Sequence, residues 1–244
     1  MNTPFSYALN RQSIYDMLFL NVSHVLEYPS IDLLRDNDEV KYKTWITYSE
    51  GDLSNEYYLI EGIKHPEFTK IVSIVWGNLY FDTEIKRNFG KSTNDVELLV
   101  ISKFFEFLDV NKKEYILCGE DIINNDIPLL IKKFIQYKDD MVITSLPKVF
   151  KDYLTVKPWD SNVVDTRTLW KFNGYYNSTN RNQTLYSDFL GMKKNVPSLL
   201  TNGEISVKYW NSINDDKQRL MDVEMQSLNK VNLAMKLIDT LSLL

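Results

Sequence analysis

The sequence predicts a mixed α/β sheet with helices on its faces, and three observations support this fold class. Short, strongly apolar segments at residues 17–22, 70–76 and 115–118 are typical of buried strands. A longer segment at residues 98–108 has apolar side chains at helical spacing, and similar segments follow it. No repeat or Gly/Ser-rich linker interrupts the chain, so we expect one domain spanning residues 1–244.

The first half of the chain is predicted to be a meander of strands. The dipeptide Gly77-Asn78 is typical of a hairpin turn, so the strand at residues 70–76 should end there and return through residues 79–81. Residues 31–34 and 57–60 have helical tendencies between the first two strands. The predicted sheet is therefore built early in the chain.

Helices dominate the predicted second half. The polar residues 92–95 offer N-cap chemistry before the helix at residues 98–108. Pro128 lies where the first turn of a helix tolerates a missing N–H group, which predicts a helix from residue 126 to Tyr137. The remaining expectations are a strand at residues 163–165, a short helix through Phe172, a helix ending at Gly191 and a last helix from about Asp216 to Leu244.

Composition and charge exclude several classes of protein. The hydrophobic share of 44%, the aromatic share of 13% and the net charge of −5 argue against a disordered tail and a basic nucleic-acid-coating protein. No apolar run approaches the roughly 20 residues of a membrane span, so no membrane partner is expected. The one cysteine, Cys118, rules out an internal disulfide and is expected to be a small buried hydrophobe. With no signal peptide visible, we expect a location in a host cytoplasm or a virion rather than secretion.

Four segments carry motifs in a particular order along the chain. They are Leu-Phe-Leu-Asn-Val-Ser-His-Val at residues 18–25, Pro-Glu-Phe-Thr-Lys-Ile-Val-Ser-Ile at 66–74, Leu-Cys-Gly-Glu-Asp-Ile-Ile-Asn-Asn-Asp-Ile-Pro at 117–128, and a region from Lys157 to Gly203. In order and spacing they resemble the predicted 3′–5′ exonucleases related to the proofreading domain of family-B DNA polymerases. That family belongs to the DEDD group of the ribonuclease H-like superfamily. The resemblance implies a ribonuclease H-like (DnaQ-like) α/β fold with a mixed sheet flanked by helices.

The resemblance also implies where a catalytic centre would lie. Such enzymes hold two divalent cations with four carboxylates, because paired hard cations need several charged oxygens. In this chain the two positions on the first strand are Asn21 and Ser23, the third is Asp126, and the fourth aligns with Gln226. Three of the four carboxylates are thus replaced by amide or hydroxyl groups. We therefore expect no resident metal, with Mg²⁺ or Mn²⁺ relevant only if residual nuclease activity exists.

Other roles for the acidic residues remain open at this point. Asp121 and Asp222 are candidates for relocated acids that could form a single-metal site with Asp126, and Glu120 lies beside Asp121. Asp126 could instead cap a helix that begins at Ile127. The histidines His24 and His65 belong to no catalytic or zinc spacing, and we expect both to be structural or surface residues.

The expected function is that of a catalytically inactive exonuclease-like protein. Such a pseudo-exonuclease would be a structural or interaction component with a protein partner, in keeping with a phage replication complex or virion. One alternative is a module that binds single-stranded nucleic acid in the old cleft, where the chain's many aromatic residues would stack on bases. The other is a weak metal-dependent 3′–5′ exonuclease that uses the relocated acids.

Overall fold

A computed structural model describes residues 14–81, 85–111, 113–155, 163–170, 199–212 and 216–242. Its centre is a five-stranded sheet in the order β3-β2-β1-β4-β5. The strands are β1 (Met17–Leu26), β2 (Thr69–Phe81), β3 (Ile85–Thr93), β4 (Ile116–Gly119) and β5 (Val163–Asp165). Neighbours are antiparallel across β3-β2-β1 and parallel across β1-β4-β5, so the sheet is mixed as expected.

Helices cover both faces of this sheet. The described helices are α1 (Ile31–Asn37), α2 (Glu39–Tyr48), α3 (Asn55–Glu61), α4 (Glu97–Asn111), α5 (Asp126–Tyr137), α6 (Lys148–Thr155), α7 (Thr166–Trp170), α8 (Asn202–Asn211) and α9 (Asp216–Leu241). Two 3₁₀ turns, Gly62–Lys64 and Pro66–Phe68, connect α3 to β2. None of the described helices is long and apolar enough to cross a membrane.

Strand β1 is the core of the molecule, and all ten of its residues are buried. Successive side chains point to opposite faces of the sheet. Leu20 packs with Phe104 of α4 and Leu130 of α5 on one face, whereas Phe19 packs with Met235 of α9 on the other. The apolar character of both faces, read from the sequence, is therefore explained by a layer of helices on each side.

The prediction of a hairpin turn at Gly77-Asn78 is wrong. Strand β2 continues through both residues to Phe81, and Gly77 pairs with Phe19 on one side and Phe89 on the other. A Cβ atom on Gly77 would overlap the Met235 methyl group of α9 and come within 2.7 Å of the Asn88 carbonyl oxygen. Glycine is thus needed here for close packing of a helix on a strand, not for a turn.

The chain between β1 and β2 forms a small helical layer of its own. Helices α1 to α3 and the 3₁₀ turns bury Trp45 against Tyr58 and Phe68, with ring centroids 5.2 Å apart in both pairs. Such edge-to-face pairs add to the energy of apolar burial. The sequence indicated helical tendencies here but not the extent of the layer, which forms one wall of the groove described below.

The predicted helices and strands of the second half are largely present. Helices α4, α5 and α9, strand β4 and strand β5 lie where the sequence placed them, within a few residues. The short helix expected to reach Phe172 is described as far as Trp170. The helix expected to end at Gly191 lies outside the described residues.

Candidate functional site

The expected catalytic positions lie where β1 runs past the end of β4. The parallel pairing of β4 with β1 covers only Met17 to Phe19, after which the chain leaves the sheet at Gly119. Asn21 and Ser23 follow on β1, and they share the α9 face with Phe19 because strand side chains alternate. A shift in the β1–β2 register occurs directly after Ser23, a type of irregularity that is frequent beside functional sites.

Ser23 is joined to α9 by a hydrogen bond, and it also bonds to Asn21 on the same strand. The Ser23 hydroxyl lies 2.7 Å from the Ser227 hydroxyl and donates to Asn21 Oδ1 at 3.4 Å. All three side chains are buried. The two positions where the resemblance implies metal carboxylates are therefore neutral, and a strand–helix contact uses them.

Asp126 accepts a hydrogen bond from a backbone N–H group of β1 that lies beyond the pairing with β4. Its Oδ2 accepts a hydrogen bond from the Val22 N–H group at 3.2 Å, beyond the last residue of β1 that β4 pairs. Helix α5 begins at Asp126 itself, and Asn125 is the N-cap residue, without a side-chain capping bond. The helix-cap role considered for Asp126 is thus wrong, because its carboxyl group points to β1.

The electrostatic environment of Asp126 favours its neutral form. Burial raises the pKa of this carboxyl group to about 8, and the nearby Asp121 and Asp165 act in the same direction. The hydrogen bond from Val22 and the positive charge of Lys230 oppose this shift, but burial is the larger effect.

Lys230 is a buried lysine near the candidate site that the sequence interpretation missed. This lysine of α9 is buried, and burial lowers its pKa, while the charges of Asp126, Glu120 and Glu204 favour its protonated form. Lys230 follows Ser227 by three residues, so both lie on the face of α9 that packs on β1. A lysine within the apolar spacing of Val223, Val231 and Ala234 was the signal available in the sequence.

Gln226, the position expected to carry the fourth carboxylate, points elsewhere. Its Oε1 accepts a hydrogen bond from the Leu200 N–H group at 3.2 Å, so it holds the segment that enters α8. Asp222 lies one turn earlier and pairs with Lys208 at 2.7 Å and with Gln218 at 2.8 Å. Neither side chain contributes a carboxylate beside Asp126.

The other candidate acids organise the loop after β4. Asp121 has a positive φ of 54°, pairs with Arg167 at 2.8 Å and accepts bonds from the Asn124 and Asn125 amides. Glu120 accepts from the Thr166 hydroxyl at 3.1 Å. These contacts fix the loop against α7, so both acids already have structural partners.

Asp165, at the end of β5, is a further buried carboxylate that the sequence interpretation did not single out. It accepts backbone N–H groups of Asp121 and Ile123 from the loop, and of Arg167 and Thr168 from α7. Burial raises its pKa, and these hydrogen bonds partly offset that effect. Its lone pairs are committed to backbone groups.

The residues of this centre do not fit the two cations that the resemblance implies. Asn21, Ser23 and Ser227 are neutral, and Asp126 is the one carboxyl group of the four expected positions. A single carboxyl group cannot offset the mutual repulsion of two dications. Within the described ranges, no group of three or more His, Cys, Asp or Glu side chains could hold a metal ion.

A groove of about 1200 Å³ adjoins this centre. One wall is formed by α3 and the 3₁₀ turns, another by the start of α5, and a third by α8 with residues 200–201. His24 of β1 lies between the walls: its ring contacts the Ile63 carbonyl at 3.3 Å and the Asn202 amide at 3.3 Å. Burial lowers the pKa of His24 to about 4, so the ring is neutral near pH 7.

Cys118 is free and buried in β4, as expected for a small hydrophobe. Burial raises the pKa of its thiol well above the usual value, which makes it a poor nucleophile. The chain matches no protein-family model, no curated protein and no solved structure.

Proposed function

We propose that this chain is a pseudo-exonuclease that serves as a non-catalytic interaction component. One observation carries the proposal: at the positions that the resemblance assigns to metal carboxylates, Asn21 and Ser23 form a buried, neutral hydrogen-bond network with Ser227, and Asp126 is the one carboxyl group. Two-metal phosphoryl transfer needs carboxylates that hold and neutralise both cations. A neutral network with one carboxyl group does not supply that charge.

The sheet topology supports the ribonuclease H-like part of this proposal. Three antiparallel strands followed by two parallel ones, in the order β3-β2-β1-β4-β5, are compatible with that fold. The candidate centre lies on the central strand, in the part of β1 beyond its pairing with β4, and these are the positions that the resemblance assigns to metal carboxylates. A protein partner in a phage replication complex or virion is part of the proposal, and it rests on the sequence resemblance.

A nuclease assay tests the proposal. The full chain is incubated with a 5′-labelled single-stranded DNA in the presence of Mg²⁺ or Mn²⁺, and the products are resolved by length. We expect no metal-dependent shortening beyond a no-protein control, because one carboxylate cannot hold two cations. Shortening that is lost in Asp126→Ala would contradict the proposal and would favour a single-metal nuclease that uses the remaining acids.

A further inference from the structure

The groove beside the centre has the chemistry of a protein-docking surface. Its volume of about 1200 Å³ exceeds the 300–1,000 Å³ typical of sites for small molecules. Apolar side chains line it, and two of them are well exposed: Ile60 of α3 at 53% and Val207 of α8 at 48%. Exposed apolar groups in a concave surface favour an occupant that buries them.

Charge decides what kind of occupant fits. The lysines among the described lining residues each pair with a carboxylate: Lys64 with Glu61 at 2.5 Å, Lys132 with Glu67 at 3.2 Å and Lys208 with Asp222 at 2.7 Å. The lining also contains Glu56 and Glu204. Two carboxylates and three ammonium groups therefore line the groove, and the three acids that pair with the lysines lie beside it, so the described charges in and around the groove sum to a negative value.

This balance disfavours a nucleic acid. A phosphate backbone binds through lysine and arginine side chains that neutralise it, and the lysines here are already neutralised by acids. Lys230 does not change the balance, because it is buried and does not belong to the lining of the groove.

Polar groups at the start of α5 suit an extended polypeptide. The side-chain amide nitrogens of Asn124 and Asn125 donate to Asp121, and both residues line the groove, each with a side-chain carbonyl oxygen that is a hydrogen-bond acceptor. Peptide N–H groups pair with such acceptors. An apolar, acidic groove with amide acceptors thus matches a segment that alternates apolar and basic side chains.

We infer that the groove binds an extended segment of another protein, carrying apolar side chains and at least one lysine or arginine. The inference deepens the proposed function, because it names the chemistry of the partner that a non-catalytic interaction component would hold. Glu56 and Glu204 would contact the basic side chains, while Ile60 and Val207 would contact the apolar ones.

An array of random-sequence decapeptides tests the inference with the full chain. We expect the bound peptides to be enriched in lysine or arginine together with apolar residues. Peptides selected in this way are then measured by fluorescence polarisation against wild type, Glu56→Lys and Val207→Ser. Each variant is expected to weaken binding at least about fivefold, because it reverses a charge or removes an apolar contact.

Matched variants separate docking in the groove from general attraction to an acidic protein. Glu106→Lys makes the same charge change on the exposed face of α4, and Val110→Ser makes the same apolar-to-polar change at a residue that is 78% exposed there. Neither residue lines the groove, so both should bind like wild type. Equal losses in groove and control variants, or no selected peptides at all, would overturn the inference.

A nucleic-acid probe completes the test. Labelled oligothymidine of ten nucleotides should bind at least about tenfold more weakly than the selected peptides at the same salt concentration. Tighter binding of the oligonucleotide, lost in Lys132→Glu, would overturn the inference in favour of a nucleic-acid cleft. Either failure leaves the nuclease assay unaffected, so loss of this inference is distinguishable from loss of the proposed function.

Discussion

Replacing Glu97 by alanine is expected to lower the free energy of unfolding by about 3–5 kcal/mol. Glu97 is buried at the start of α4, and its carboxylate accepts from Ile71 N–H at 2.6 Å, Lys133 Nζ at 3.1 Å and Tyr137 hydroxyl at 2.8 Å. The alanine variant leaves the buried Lys133 ammonium without its ion-pair partner. It also leaves the Ile71 N–H group without this acceptor.

The same network anchors the candidate site. Lys133 belongs to α5, the helix that begins at Asp126, and its ammonium also donates to the Thr69 carbonyl of β2 at 2.6 Å. Glu97 thus holds α5 against the sheet. Urea unfolding of Glu97→Ala measures the effect, with Glu39→Ala as the control, because the Glu39–Lys43 pair is 70–76% exposed and should contribute at most about 0.5 kcal/mol. Equal effects in the two variants would contradict the buried network.

Replacing Asp126 by asparagine is expected to stabilise the protein at alkaline pH. Burial raises the pKa of Asp126 from its ordinary 3.8 to about 8. A raised pKa means that the folded protein retains this proton over a range where the unfolded chain releases it. The stabilisation is therefore fully present below pH 3.8, declines as the pH rises, and is lost once the pH has passed through 8. The loss lowers the free energy of unfolding by an amount on the order of 5 kcal/mol.

The asparagine variant removes this ionisation and keeps an oxygen that accepts from Val22 N–H. Its new amide N–H groups need hydrogen-bond partners, and this requirement reduces the gain in stability by roughly 1–2 kcal/mol. We expect Asp126→Asn to be more stable than wild type by about 3 kcal/mol at pH 9, and slightly less stable at pH 4. The midpoints of urea unfolding, measured for both proteins at the two pH values, test whether the order of stability reverses between pH 4 and pH 9. A variant less stable than wild type at pH 9 would show that Asp126 is ionised in a favourable environment.

The fold was largely predictable because local patterns decide it. The segment that became β1 is apolar on both faces, which requires a central strand, and Pro128 correctly marked the first turn of α5. Gly77 misled the sequence interpretation, because glycine also serves where a helix packs closely on a strand. The contact of Met235 of α9 with Gly77 distinguishes close helix packing from a turn, and this contact depends on the tertiary structure.

The candidate site was predictable on the strand but not on the last helix. Asn21 and Ser23 could be placed because their strand is unambiguous and its faces alternate. The face of α9 that meets β1 depends on tertiary packing, so Gln226 was chosen although the neighbouring Ser227 makes the contact. Lys230 and Asp165 were missed for a related reason. Residues that are distant in the sequence bury both of them near Asp126, and local residue spacing does not predict such burial.

Direct Mn²⁺ binding tests the central claim, which is that this centre cannot hold catalytic cations. Free Mn²⁺ is followed by electron paramagnetic resonance as wild type, Asp126→Ala and the triple variant Asn21→Asp/Ser23→Glu/Lys230→Met are titrated. The triple variant returns two carboxylates to β1 and removes the competing ammonium, so gain of binding there shows that the replaced residues exclude the metal. For wild type we predict no saturable binding up to about 1 mM Mn²⁺ and no difference from Asp126→Ala. Saturable binding by wild type that Asp126→Ala abolishes would contradict the account.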